Sequence, residues 1–174
     1  GSILGDRVRM QDHSGDKDVF IKSLPTKGWR GGISKVTSRM ITVMDAMGKD
    51  IIIVETAGVG QTEVEIKNLV HTTIVVLVGG LGDSIQSIKA GILEIADIYV
   101  INKADIINTE ELESDIENLI NMTITADNYE SSWTPPICLT ESINKKGIDN
   151  LAEEILKHKN LLTVFTGYEK ANQS

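Results

Sequence analysis

Ile51-Ile52-Ile53-Val54-Glu55-Thr56-Ala57-Gly58-Val59-Gly60-Gln61 is the stretch on which the fold turns. An unbroken β-branched run leads into a carboxylate and then into a glycine-rich turn. A run so short and so apolar predicts a strand buried on both faces, as a parallel sheet requires. In open α/β sheets the ligand crevice lies at the carboxyl ends of the strands, which is where Glu55 and Gly58 fall. An acid there suits a hard divalent cation, and a glycine lets a backbone N–H approach a phosphate closely.

Outward from this run, apolar segments alternate with helical patterns. Val19-Phe20-Ile21-Lys22-Ser23 predicts a short strand. Ser34 can cap a helix carrying Val36, Met40, Val43, Met44 and Met47, with Gly48 as its stop. A helix is expected over residues 62–70 and a third buried strand over 73–78, ending in Gly79-Gly80-Leu81-Gly82-Asp83. Ser84 opens a further helix with Ile85, Ile88, Ile92 and Ile95 on one face. A fourth strand follows at 98–101 and another at 137–139, after the stop signal Pro135-Pro136. Between them Thr109-Glu110-Glu111-Leu112 starts an acidic amphipathic helix, and a last helix runs from Ile148 to about His158. Strands and helices in this alternation predict an α/β fold, a mainly parallel sheet with helices on both faces.

At 174 residues the chain has room for one domain with a sizeable core. A formal charge of −8 argues against a nucleic-acid partner, whose phosphates would be repelled. No apolar stretch approaches the ~20 residues needed to span a bilayer, so no membrane association is expected. Cys138 is the single cysteine, which excludes an internal disulfide and suits a reducing cytoplasm. His13, His71, His158 and Cys138 are scattered without ligand-type spacing, so each is read as a surface or packing residue. Trp29 and Trp133 sit in polar, loop-like contexts, suited to packing or to a partner surface.

Asn102-Lys103-Ala104-Asp105, at the end of the fourth strand, has a specific chemical logic. Guanine presents N1–H and an exocyclic amine on one edge, and a carboxylate accepts both in a bidentate pair. Adenine has an acceptor at N1 and lacks that amine, so Asp105 would disfavour it. Lys103 can lay its aliphatic stem over the base, while Asn102 would tether neighbouring loops. The alternative is a polar cap on a buried strand. Glu55-Thr56-Ala57-Gly58 then reads as a nucleotide switch, with Glu55 near Mg²⁺ and Gly58 offering its N–H to a γ-phosphate. Gln61 is a candidate to orient an attacking water. Gly79, Gly80, Gly82 and Asp83 lie on the same predicted edge, where glycines also serve as a simple strand-to-helix turn.

Several segments together resemble one family. These are Ser2-Ile3-Leu4-Gly5-Asp6-Arg7-Val8-Arg9-Met10, Val19-Phe20-Ile21-Lys22-Ser23, the stretch from Glu55 to Glu63, Gly82-Asp83-Ser84-Ile85-Gln86-Ser87-Ile88-Lys89-Ala90-Gly91-Ile92, Glu94-Ile95-Ala96-Asp97 and Asn102-Lys103-Ala104-Asp105. The chain resembles the P-loop GTPases that act as chaperones for adenosylcobalamin-dependent methylmalonyl-CoA mutase, also labelled LAO/AO transport ATPases. The resemblance implies a P-loop NTPase fold, GTP/GDP and Mg²⁺ as ligands, and Asp6 in a first switch that shares the metal with Glu55. It implies guanine recognition by Asn102, Lys103 and Asp105, with Ser142 in the loop whose backbone N–H meets the base. Residues 78–89 match a third switch that meets the mutase, with Gly79, Gly80, Gly82, Asp83 and Lys89 as its conspicuous members. It implies that residues 1–160 form a partial GTPase domain and 161–174 the start of a truncated helical extension, and that the full protein is a homodimer.

Two departures stand out. In the loop Thr140-Glu141-Ser142, where the resemblance sets a backbone N–H against guanine, the family's Ser-Ala signature is blurred. No G-x-x-x-x-G-K-[ST] occurs anywhere in the chain, so the P-loop strand, its phosphate nest and its lysine are missing. The 174 residues are therefore expected to be a large part of a longer GTPase, binding GTP poorly and hydrolysing it negligibly by themselves. A GTPase chaperone that gates cobalamin loading and protects the mutase is one functional reading. A non-hydrolysing partner-binding module and a GTPase for maturation of another metalloenzyme are the alternatives.

Overall fold

The structure, a computed structural model, describes residues 10, 13, 15–24, 32–56, 65–78, 93–127 and 133–171. The chain divides into two compact units, Gly1–Ala57 and Gly58–Ser174.

In the first unit the regular element is α1, Gly32–Ala46, which begins two residues ahead of the expected Ser34 cap. Its end is the one the sequence predicts. Gly48 takes φ +78°, its N–H donates to the Asp45 carbonyl at 2.8 Å, and the Lys49 N–H reaches back to Met44 at 3.2 Å. That pair of bonds is a Schellman motif, in which glycine occupies the left-handed position without a Cβ penalty. Beyond it, Lys49 Nζ donates to the Asp18 carbonyl at 2.6 Å.

The two strands expected in this unit are corrected. Residues 19–24 and 51–56 carry no ladder, and Ile51 and Ile53 are 79% and 86% exposed. A strand is a pairing property: its N–H and C=O groups need a neighbour in register, and β-branched composition supplies only a surface that packs well if one arrives. Among the described residues of this unit no segment offers that ladder.

The second unit carries the sheet. Strands β1 (Ile74–Val78), β2 (Ile98–Asn102) and β3 (Ile137–Thr140) lie side by side in sequence order, both pairs parallel. The register sets Val75 beside Tyr99 beside Ile137, and Val78 beside Asn102 beside Thr140. Because side chains alternate across a strand, this produces two opposed faces. Val75, Leu77, Tyr99 and Ile101 face α2 (Glu110–Asp127), which contributes Ile116, Ile120, Leu112 and Leu119. Ile98, Val100 and Cys138 pack with Trp133 and with Leu151 and Ile155 of α3 (Ile148–Ala171). The parallel α/β architecture with helices on both faces is as expected, and β2, covered twice, is its centre.

Local chemistry explains the helix starts. The Thr109 carbonyl accepts the first intrahelical bond, from the Glu113 N–H at 2.8 Å, and Asn108 Oδ1 accepts from Glu110 N–H at 3.1 Å, satisfying a donor that the first turn of α2 leaves open. Glu110, Glu111 and Glu113 in that turn complement the helix dipole. α3 is entered through Gly147 at φ +73°, where a Cβ would lie 2.0 Å from the Leu139 carbonyl oxygen. It runs unbroken to Ala171, well past the expected stop near His158. Of the helix expected over 62–70, a 3₁₀ turn at Glu65–Asn68 is described. The one expected from Ser84 falls outside the described residues.

A polar cluster closes the amino edge of the sheet. Asp97 Oδ2 accepts from Thr73 N–H at 2.7 Å, and Trp133 Nε1–H donates to the Asp97 carbonyl at 2.8 Å. His158, on α3 and 5% exposed, bonds Thr72 Oγ1 through Nδ1 at 2.9 Å and brings Nε2 to 3.7 Å from Asp97 Oδ1. Its ring lies 4.9 Å from that of Trp133. Both aromatic residues therefore have packing roles here.

Two measurements test this core. Gly147→Ala should destabilise the chain by about 2–4 kcal/mol in urea unfolding, since left-handed strain and a backbone clash act together. Tyr99 donates its hydroxyl to the Leu93 carbonyl at 2.5 Å, and burial, seconded by the charge of Glu94, pushes its phenol up to about 12. An acid whose folded value is raised contributes stability fully present below its unfolded value near 10. Unfolding free energy should accordingly fall as pH rises from about 10 to 12, and Tyr99→Phe should flatten that fall at a cost of about 1 kcal/mol at neutral pH.

Candidate functional site

Asn102 ends β2, and its side chain gathers the carboxyl edge of the sheet. Its Oδ1 accepts from Thr140 Oγ1 at 3.1 Å, from Ser142 Oγ at 2.7 Å and from the Ser142 N–H at 3.3 Å. The Ala104 N–H donates to the Thr140 carbonyl at 3.2 Å. Side chain and backbone thus join the loop after β2 to the loop after β3. The tethering expected of Asn102 is present, and it lies where an α/β sheet presents ligand sites.

Immediately after Asn102 the backbone turns sharply. Lys103 adopts φ 61°, and its carbonyl accepts from Ile106 N–H at 3.1 Å. A left-handed lysine costs about 1–2 kcal/mol relative to an ordinary conformation. Such strain persists where surrounding contacts impose it, and it concentrates at ligand clamps. The other non-glycine residue with positive φ among the described residues is Lys145, at 56°, in the partner loop. Both strained lysines therefore belong to the pair of loops that Asn102 joins.

Lys103 and Asp105 are exposed, and among the described residues no hydrogen bond or ion pair engages either side chain. A carboxylate held on a tethered loop with its acceptor capacity open can receive two parallel N–H donors. This is the chemistry expected for guanine N1–H and N2–H₂.

The loop after β3 is closed by Glu141. A 3₁₀ turn covers Ser142–Asn144, and Glu141 and Lys146 form an antiparallel bridge around it. The Glu141 carboxylate accepts from Asn144 Nδ2 at 3.0 Å and from Lys146 Nζ at 3.1 Å, and lies 2.9 Å from Lys146 in the ion pair. The Asn144 bond, followed by Lys146, holds the Glu141 carboxyl below its ordinary value. Whatever the carboxylate contributes is therefore present at neutral pH and lost as pH falls through the carboxylate range. The sequence reading set Thr140-Glu141-Ser142 in the loop beside the base but gave the Thr140 and Glu141 side chains no part of their own, and it missed Lys145. The departure from Ser-Ala at Glu141-Ser142, followed by Lys145-Lys146-Gly147 before a helix, was the signal that marks a built turn.

The remaining predicted residues are not brought to this edge by any described contact. Glu55 is exposed on residues 51–56 in the first unit. Asp6, Gly58, Gln61, Gly79, Gly80, Gly82, Asp83 and Lys89 lie outside the described residues. No group of three or more His, Cys, Asp or Glu suited to a metal occurs among the described residues, and no described helix is long and apolar enough to cross a membrane.

Comparison with known proteins follows the same line. A family model described as Methylmalonyl Co-A mutase-associated GTPase MeaB matches residues 1–174. A putative GTPase of Pyrococcus abyssi is 45% identical over 163 residues, which cover 93% of this chain and 50% of that protein. GTPase ArgK of Escherichia coli K12 is 34% identical over 183 residues, covering 99% of this chain and 52% of the relative. The crystal structure of a LAO/AO transport system kinase superposes with a TM-score of 0.65 at 28% identity, covering 92% of this chain and 51% of that one. The chain spans about half the length of the curated relatives it matches. On its parallel α/β sheet, its tethered Asn102–Asp105 loop and a family match along its whole length, the chain belongs to the MeaB family of methylmalonyl-CoA mutase-associated GTPases.

Proposed function

We propose that this chain supplies the guanine-recognising part of a GTPase that attends a methylmalonyl-CoA mutase, gating the loading of adenosylcobalamin and protecting the loaded enzyme. The observation that carries the reading is the Asn102 tether. With Oδ1 engaged by Thr140 and Ser142, the Asn102–Asp105 loop is fixed while the Asp105 carboxylate stays open to a base. A preorganised acceptor loses little freedom on binding, so its charge-assisted bonds translate into selectivity.

In this reading Asp105 accepts guanine N1–H and N2–H₂, Lys103 covers the base with its aliphatic stem, and the Ser142 loop closes the other side. Glu55 and Asp6 would hold Mg²⁺, which when bound supplies positive charge to the phosphates. Gly58 would offer its N–H to the γ-phosphate, and Gln61 would orient the attacking water. Phosphoryl transfer of this kind rests on positioning and electrostatic stabilisation. Residues 78–89 would carry the nucleotide state to the mutase, and the full protein would act as a homodimer in the cytoplasm.

Two tests follow. Asp105→Asn should weaken guanine-nucleotide binding by about 10–100-fold, the loss of one charged bidentate contact, and should favour xanthine, whose C2 oxygen accepts from an amide. An unchanged guanine preference would defeat the base assignment. With a phosphate-binding loop segment joined ahead of residue 1, GTP turnover should exceed ATP turnover and should respond to added mutase. A rate indifferent to the mutase would defeat the chaperone reading.

A further inference from the structure

We propose that Glu141 is a positioning residue for guanine recognition, clamping the turn that presents Ser142 to Asn102. The inference deepens the guanine reading of Asp105 and rests on it.

Five groups converge on this one residue. Its N–H donates to the Lys146 carbonyl at 3.1 Å, and its own carbonyl accepts from Lys146 N–H at 3.3 Å and from Asn144 N–H at 3.0 Å. Its carboxylate takes Asn144 Nδ2 and Lys146 Nζ. Enclosed between these anchors are Ser142, Ile143, Asn144 and the left-handed Lys145. An L-residue with a side chain remains left-handed where the surrounding bonds over-determine it: the Lys145 N–H donates to the Ser142 carbonyl at 3.3 Å, and the bonds of its neighbours Asn144 and Lys146 run to Glu141.

The turn so closed has one outward connection of consequence. Ser142 donates through both its N–H and its Oγ to Asn102 Oδ1, the atom that fixes the start of the Lys103–Asp105 loop. Order therefore passes from the Glu141 carboxylate to Ser142, from Ser142 to Asn102, and from Asn102 to the base-reading loop. Chained hydrogen bonds of this kind reinforce one another.

The magnitude of an ordinary surface ion pair decides where the effect should be seen. The Glu141 and Lys146 side chains are 18% and 69% exposed. An ion pair open to water on one side adds little to global stability. Its consequence should be local: discrimination at the base, with the melting temperature nearly unmoved. A purely structural residue would behave in the opposite way, weakening every nucleotide together as the fold loosens.

The test uses the 174-residue chain, isotopically labelled and titrated with GMP and with AMP at millimolar concentration, following the Ser142 amide and the Asn102 side-chain amide by NMR. Glu141→Ala should lower the GMP-over-AMP affinity ratio about three- to tenfold, the scale of one hydrogen bond, and leave AMP affinity within about twofold. Glu141→Gln retains an acceptor for Asn144 and should fall between wild type and Glu141→Ala. The reversed pair Glu141→Lys with Lys146→Glu should recover part of the ratio. A wild-type preference for GMP that survives unchanged in Glu141→Ala and Glu141→Gln overturns the proposal alone. So does an equal loss of GMP and AMP binding with a lowered melting temperature. A wild-type chain with no GMP preference overturns the guanine reading and this proposal with it.

Discussion

A single carbonyl oxygen, Asn102 Oδ1, governs the geometry of the carboxyl edge. It sits at the end of the central strand and receives donors from the end of the neighbouring strand and from the turn beyond it. Two loops that are distant in sequence become one surface because they share that acceptor. Were the carboxamide to turn away, Thr140 Oγ1 and both donors of Ser142 would lose it together. The loop carrying Lys103 and Asp105 would then be held chiefly by the Ala104 to Thr140 backbone bond. The strained backbone at Lys103 and Lys145 is tolerable for the same reason: the strain is local and the bonds around it are many.

Behind this edge, β2 supplies the rigidity. Its apolar side chains are covered from both sides, by α2 through Ile116 and Ile120 and by α3 through Leu151 and Ile155. A strand packed on both faces cannot slip by one residue without exchanging its two sets of side chains, so its register is strongly specified. Asn102 inherits that register. The position of the polar atom that organises the site is thus decided by the apolar residues preceding it.

What was legible in the sequence follows from where the information is local. The strands at 98–102 and 137–140 could be read because their apolar runs lie between clear helical patterns and meet partners in the same unit. The Gly48 stop could be read because a left-handed residue after a helix is a property of a few adjacent atoms. Residues 51–54 carry an even stronger strand composition, yet form no ladder among the described residues, because pairing depends on a second segment that composition does not reveal. The same divide runs through the site. Asn102, Lys103 and Asp105 announce themselves by residue type and order. Glu141 does not, because its part depends on a turn closed by Lys146 and Asn144, and the sequence shows only a departure from an expected pair. Likewise the cluster of Thr72, Asp97, Trp133 and His158 draws on four separate segments.

The last helix joins these two ends of the sheet. Its first turn is set by Gly147, pressed against the Leu139 carbonyl beside the loops that Asn102 joins, and its middle is held at the opposite edge by His158. A stiff rod fixed at two points along its length has no freedom to pivot about either. Beyond His158 the helix continues to Ala171, about 20 Å at the rise of an α-helix, as an overhang whose direction is dictated from inside the fold. Any displacement of the Ser142 turn that reached Gly147 would be divided between bending the rod and loosening the histidine pin, and whichever yields more easily sets how far it travels along the overhang.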